Sequence, residues 1–115
     1  METINSVQIA LQLFEESSVL QIDATERGNY KVGNKNYDKI IKAVEFLKSE
    51  NSLDALLPYL SHNSAGVRLW AASYLLGFDE KNAIKILEEL KKQKGIISLI
   101  AEATLDEWKK GNLKL

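Results

Sequence analysis

The chain has 115 residues, 15 Lys+Arg against 16 Asp+Glu, so it can bury one core but hardly two, and its formal charge of −1 sets up no global field toward nucleic acid or anionic lipid. It contains no cysteine, which excludes disulfides, thiol nucleophiles and zinc–thiolate centres. No run of about 18 apolar residues exists to span a bilayer, and the start METINSVQ lacks the basic and apolar regions of a secretory signal, so the expectation is a cytoplasmic protein with no membrane partner.

Apolar residues recur every three or four positions, the period of helices rather than strands. Six helices are expected, at about 3–26, 36–49, 53–61, 65–77, 79–93 and 96–110. In the first, Ile4, Val7, Leu11 and Phe14 share a face, and Ser17-Ser18 is a candidate break. GNYKVGN, residues 28–34, reads as the one longer loop, too irregular in its glycines for a phosphate-binding turn. Ile40, Ala43, Val44 and Leu47 line the second helix, and Pro58, the only proline, falls in the third. Ala83, Ile86, Leu87 and Leu90 line the fifth. Asn36, Ser52, Ser64 and Asp79 are the expected N-caps. Short connections after the third helix make neighbouring helices antiparallel.

The fourth helix carries VRLWAASYLL, residues 67–76, with a single charge. Val67, Trp70, Ala71, Tyr74 and Leu75 lie on one side, and Leu69, Ala72 and Leu76 on another. A helix apolar on nearly every side is surrounded by other helices, and Arg68 within it must find partners, because an unpaired buried charge is expensive. A faint internal repeat supports stacking. Val67, Ala71 and Leu75 fall on Ile97, Ala101 and Leu105 when shifted by 30, and Ala71 and Leu75 on Ala43 and Leu47 when shifted back by 28.

Leu56-Leu57 and Leu60, a short turn, then Val67-Arg68, Ala71-Ala72 and Leu75 resemble a HEAT repeat. With NKNYDKI (Asn34, Tyr37, Asp38), VRLWAA (Val67, Arg68, Trp70, Ala71, Ala72) and LDEWKKGNL (Leu105, Trp108, Gly111, Leu113), most of the chain is similar to a family of small, stand-alone bacterial HEAT-like proteins. The resemblance implies an all-α, HEAT-like stack of about three antiparallel helical pairs in one domain spanning 1–115. It implies that Arg68 pairs with an aspartate, Asp38 first and Asp106 second, and that Trp70 and Trp108 are structural. Some similar proteins act as toxin immunity proteins.

Chemistry-bearing residues are sparse. His62, in YLSHNS, is the only histidine, so a typical zinc site is almost excluded. Ser61 and Ser64 flank it without a nucleophile-elbow context, and a position near a helix end accounts for it. Glu15-Glu16 and Glu88-Glu89 are adjacent pairs whose side chains diverge by about 100° on a helix, which suits solvated faces. Lysines at 91–94 and 109–110 complement helix C-termini. A face built from Lys39, Lys42, Lys85, Lys92 and Lys109 would mark the alternative function, a nucleic-acid-binding HEAT-like domain related to DNA repair. A third option is self-association through an end of the stack.

Residues 1–27 hold five acids, Glu2, Glu15, Glu16, Asp23 and Glu26, and one base, Arg27. On an unbroken helix Glu15, Glu16, Asp23 and Glu26 fall within an arc of about 100°. They are the candidate docking face for a basic partner, with Tyr30 and Tyr37 as candidate anchors, since complementary charge raises association rate and selectivity. Together with that resemblance, the expected function is a non-enzymatic protein-binding module with no cofactor or metal: an immunity protein that occludes a cognate toxin domain, as the resemblance implies, a nuclease with a cationic cleft being one partner of that kind.

Overall fold

A computed structural model describes residues 3–113, which between Val7 and Lys109 lie in helices or the turns joining them. The elements are α1 (Val7–Glu26), α2 (Tyr30–Ser49), the 3-10 helix η1 (Leu53–Ser61), α3 (Ala65–Leu75), α4 (Glu80–Lys91) and α5 (Ile96–Lys109). The fold is all-α, as the spacing of apolar residues requires.

Helix α1 begins where Ser6 accepts a hydrogen bond from the Ile9 amide at 3.1 Å. It runs through Ser17-Ser18 without a break. Both serines are buried, and their small side chains allow α3 to approach. A Cβ on Gly66 would stand 2.9 Å from Ile22 Cγ1 and 3.1 Å from the Ser18 carbonyl oxygen, so the crossing admits only glycine there. Beyond Glu26 the chain reverses in three residues. Gly28 takes φ +74°, the Asn29 amide donates to the Ala24 carbonyl at 2.8 Å, and the Asn29 side chain at once caps α2 by accepting from Val32.

GNYKVGN is therefore no loop, because Tyr30 already opens α2. Asn36, expected as a cap, lies buried inside that helix and donates from Nδ2 to the Val32 carbonyl. The signal misread was the pair Gly28-Asn29, a left-handed terminator followed directly by a capping side chain. Ser64 and Asp79 do cap α3 and α4, accepting from Val67 and Asn82. Ser52 does not cap η1; its hydroxyl donates to the Glu50 carbonyl instead. Pro58 lies inside η1 and has no N–H to donate to its main-chain ladder.

Helices α1 and α2 form a long antiparallel hairpin, η1 packs on α3, and α4 on α5. These are the three expected pairs. Helix α3 also packs on α4, and α1 reaches both α3 and α5. A simple linear array touches only its neighbours; the α1–α5 contact closes this one into a body measuring 36 × 31 × 27 Å. One continuous core joins all six elements. Val67, Leu69, Ala71, Ala72, Leu75 and Leu76 are wholly buried, so α3 is enclosed as its composition predicts. The repeat positions Ala43, Leu47, Ile97, Ala101 and Leu105 are buried with them. Among the described residues no helix is long and apolar enough to cross a membrane.

Candidate functional site

Arg68 does not meet Asp38 or Asp106, both of which are exposed. Its Nη1 donates to the main-chain carbonyls of His62 at 2.6 Å and Asn63 at 3.1 Å. Arg68 sits in the first turn of α3, directly after the sharp turn that leaves η1, and from there it reaches back to carbonyls that the end of η1 leaves unpaired. A cation at a helix C-terminus is also favoured by the helix dipole. The predicted aspartate pairing fails because two carbonyl oxygens closer in the chain offer the same stabilisation without burying a second charge.

His62 is fixed by the same turn. Its Nδ1 accepts from the Ser64 amide at 2.9 Å, which places the proton of the neutral ring on Nε2, facing Glu15 Oε2 at 2.5 Å. Tyr59 packs edge-on against the ring and stacks on Phe14, and its hydroxyl donates to the Leu11 carbonyl. Burial, and then the Glu15 carboxylate, raise the Tyr59 phenol above its ordinary value. With both ring nitrogens engaged, His62 has none left to take a proton from a nucleophile. It ties α1 to the η1–α3 turn.

The two tryptophans are also tied into the fold. Trp70 donates to Gln21 Oε1 at 3.1 Å, and its ring lies 5.4 Å from that of Tyr37, tilted by 53°. Tyr74 adjoins the pair. Its phenol is held above the ordinary value by burial first, then by the neighbouring Tyr37 and the Glu45 carboxylate. Trp108 donates to Glu80 Oε2 at 2.6 Å, joining the end of α5 to the start of α4.

The four acids and two tyrosines do not form one surface. Glu2 lies outside the described residues. Glu15 is taken up by His62, and Asp23 is paired with Arg27 at 3.3 Å on an exposed side. Gln21 points about 140–160° away from Glu16, Asp23 and Glu26 around the α1 axis. Gln21 holds Trp70, and Trp70 carries Tyr37, so the tyrosine cluster lies on the far side of α1 from these acids. Tyr30, 73% exposed, shares a face of α2 with Tyr37, one heptad on.

What lies beside Glu16 and Asp23 is apolar. Ile9, Val19 and Leu20 are 36%, 43% and 49% exposed. With Gln12 they form an outward stripe at the helical spacing 9, 12, 16, 19/20, 23. At its N-terminal end is a concavity of about 250 Å³ lined by Thr3, Ile9, Gln12, Leu13 and Glu16. The apolar members were legible in the sequence but were outweighed by the acids beside them. Helix α1 carries four acids and no lysine or arginine.

Lysines expected for a nucleic-acid face are distributed over three helices. Lys39 and Lys42 lie on α2, Lys85 on α4 with Lys92 at its end, and Lys109 ends α5, 3.9 Å from Glu88. Among the described residues no group of three or more His, Cys, Asp or Glu is placed to hold a metal ion.

No family model matches the chain, and no curated protein matches it. The structure is similar to the crystal structure of the protein RPA1889 from Rhodopseudomonas palustris CGA009, with a TM-score of 0.86 and 23% identity over 98% of this chain and 99% of that one. At that identity the likeness shows the fold alone: the arrangement of helices is shared along the whole length of both chains.

Proposed function

We propose that this chain is a protein-binding module acting by occlusion, and that its partner is a cognate bacterial toxin domain with a cationic active cleft. The observation that carries the proposal is the outward stripe of α1. A helix face that interleaves exposed Ile9, Val19 and Leu20 with Glu16, Asp23 and Glu26, beside a concavity, offers apolar contact and negative charge together to a partner. The acids would steer a basic partner and the apolar residues would slow its release. The contact surface is narrower than the sequence suggested: Glu15 belongs to the fold, and Tyr30 and Tyr37 face elsewhere.

Co-expression with the product of the adjacent gene tests this. The toxin domain should arrest growth by itself and cease to do so with this protein present. A harmless neighbour, or one that stays toxic, defeats the proposal. In the purified pair, Glu16→Lys with Asp23→Lys should slow association about tenfold or more at low salt and leave the fold intact.

A further inference from the structure

The cleft between the η1–α3 turn and the C-terminal half of α4 has a volume of about 410 Å³. Its accessible lining is chiefly polar, from residues such as Arg68, Glu89 and Gln93, with Ile86 the half-buried apolar member and Leu60 and Leu90 buried beneath it. The guanidinium is held at one nitrogen, Nη1, which donates to the His62 and Asn63 carbonyls. Nε and Nη2 meet no acceptor among the described residues. No carboxylate lies within 4.0 Å of Arg68 and no cation within 4.0 Å of Glu89 among those residues. One cleft thus holds a cation and an anion that form no ion pair with each other.

We propose that this cleft binds a zwitterionic ligand of amino-acid size. Its carboxylate sits on the open edge of the Arg68 fork, its ammonium on Glu89, and its apolar side chain lies against Ile86. A guanidinium already immobilised by the main chain loses little freedom on taking a carboxylate, and its two remaining nitrogens match the two oxygens. Glu89 supplies the opposite charge without spending it within the protein. The cleft is built from η1, α3 and α4, so this proposal stands or falls separately from the α1 contact surface.

Titration of the ¹⁵N-labelled full chain with L-leucine, followed by amide chemical shifts, tests it. Saturable shifts are expected at residues 60–63, 68 and 86–93. Leucinamide, which lacks the carboxylate, and N-acetylleucine, which lacks the ammonium, should each bind about tenfold or more weakly, the worth of one charge-assisted contact. Glu89→Gln, a change at an exposed position, should bring leucine down to the affinity of N-acetylleucine and leave the melting temperature unchanged. No saturable shift with leucine, or shifts confined to other surfaces, overturns the proposal. Equal binding of leucine and of a tripeptide ending in leucine also overturns it, and would identify a site for polypeptide C-termini instead.

Discussion

Arg68 shows how a lone charge in an apolar helix is satisfied at low cost. Its partners are main-chain oxygens five and six residues away, not a carboxylate from another layer. Arg68→Met should therefore lower unfolding free energy by about 1–2 kcal/mol, from lost bonds to two carbonyls, and Asp38→Ala should change it by less than about 0.5 kcal/mol, as an exposed site does. Denaturant unfolding of both variants checks the order; an equal loss from Asp38→Ala would restore the pairing that the resemblance implied. His62→Ala should cost about 1–2 kcal/mol by releasing Glu15 and the Ser64 amide together. Tyr74 gives a pH signature. Its folded-state phenol ionises above the ordinary value of about 10, so only the unfolded chain releases that proton as pH rises past 10. Stability should be level below that pH and fall above it, and Tyr59 contributes in the same direction. Tyr74→Phe should flatten the decline, and an unaltered slope would assign it to other groups.

Two glycines set how closely α1 meets its neighbours, and they differ in what they tolerate. A methyl group on Gly66 collides with Ile22 and the Ser18 carbonyl, so Gly66→Ala should destabilise by about 1–3 kcal/mol through overpacking. At Gly33 the nearest atom to a new Cβ is Thr25 Oγ1 at 3.4 Å, an ordinary contact. Gly33→Ala should be neutral or stabilising by up to about 1 kcal/mol, the helix-propensity gain. Thermal melts of the pair separate close crossing from simple helix content. Gly33 within α2 also shows why GNYKVGN was hard to read: one glycine there ends a helix, with the Asn29 cap directly after it, and the next lies inside the helix that follows.

The contact of α1 with both α3 and α5 should make the molecule unfold as one cooperative unit. An open array frays from its ends, whereas here the last helix is held by the first. Leu105→Ala in α5 should cost about 2–5 kcal/mol, as buried leucine truncations do, and should lower the whole transition rather than detach α5. Trp70 on α3 and Trp108 on α5 provide fluorescence to set beside circular dichroism. Coincident transitions are expected, and a separate early step would show that α5 unfolds alone. The charge distribution also emerges only for the whole. Helix α1 has acids and no bases, α2 has five lysines and two acids, and no ion pair joins the two helices among the described residues. Of the stripe's acids, Asp23 pairs with Arg27, and Glu16 and Glu26 enter no ion pair among the described residues.

The apolar period, the caps at Ser64 and Asp79 and the alanine-rich fourth helix determined the helices, their number and which of them is enclosed, because these depend on residues three or four apart. The bond from Arg68 to His62 is nearly as local and was legible in principle, as an arginine one turn into a helix that follows a sharp turn. Tertiary structure alone decided that Glu15 meets His62, 47 residues away, that Tyr37 faces Trp70 and not the acids, and that Arg68 and Glu89 share a cleft. Each of those follows from the rotation of one helix about its axis against another. That rotation is fixed by how residues such as Gly66, Ser18 and Ile22 fit together, and no single stretch of chain carries it.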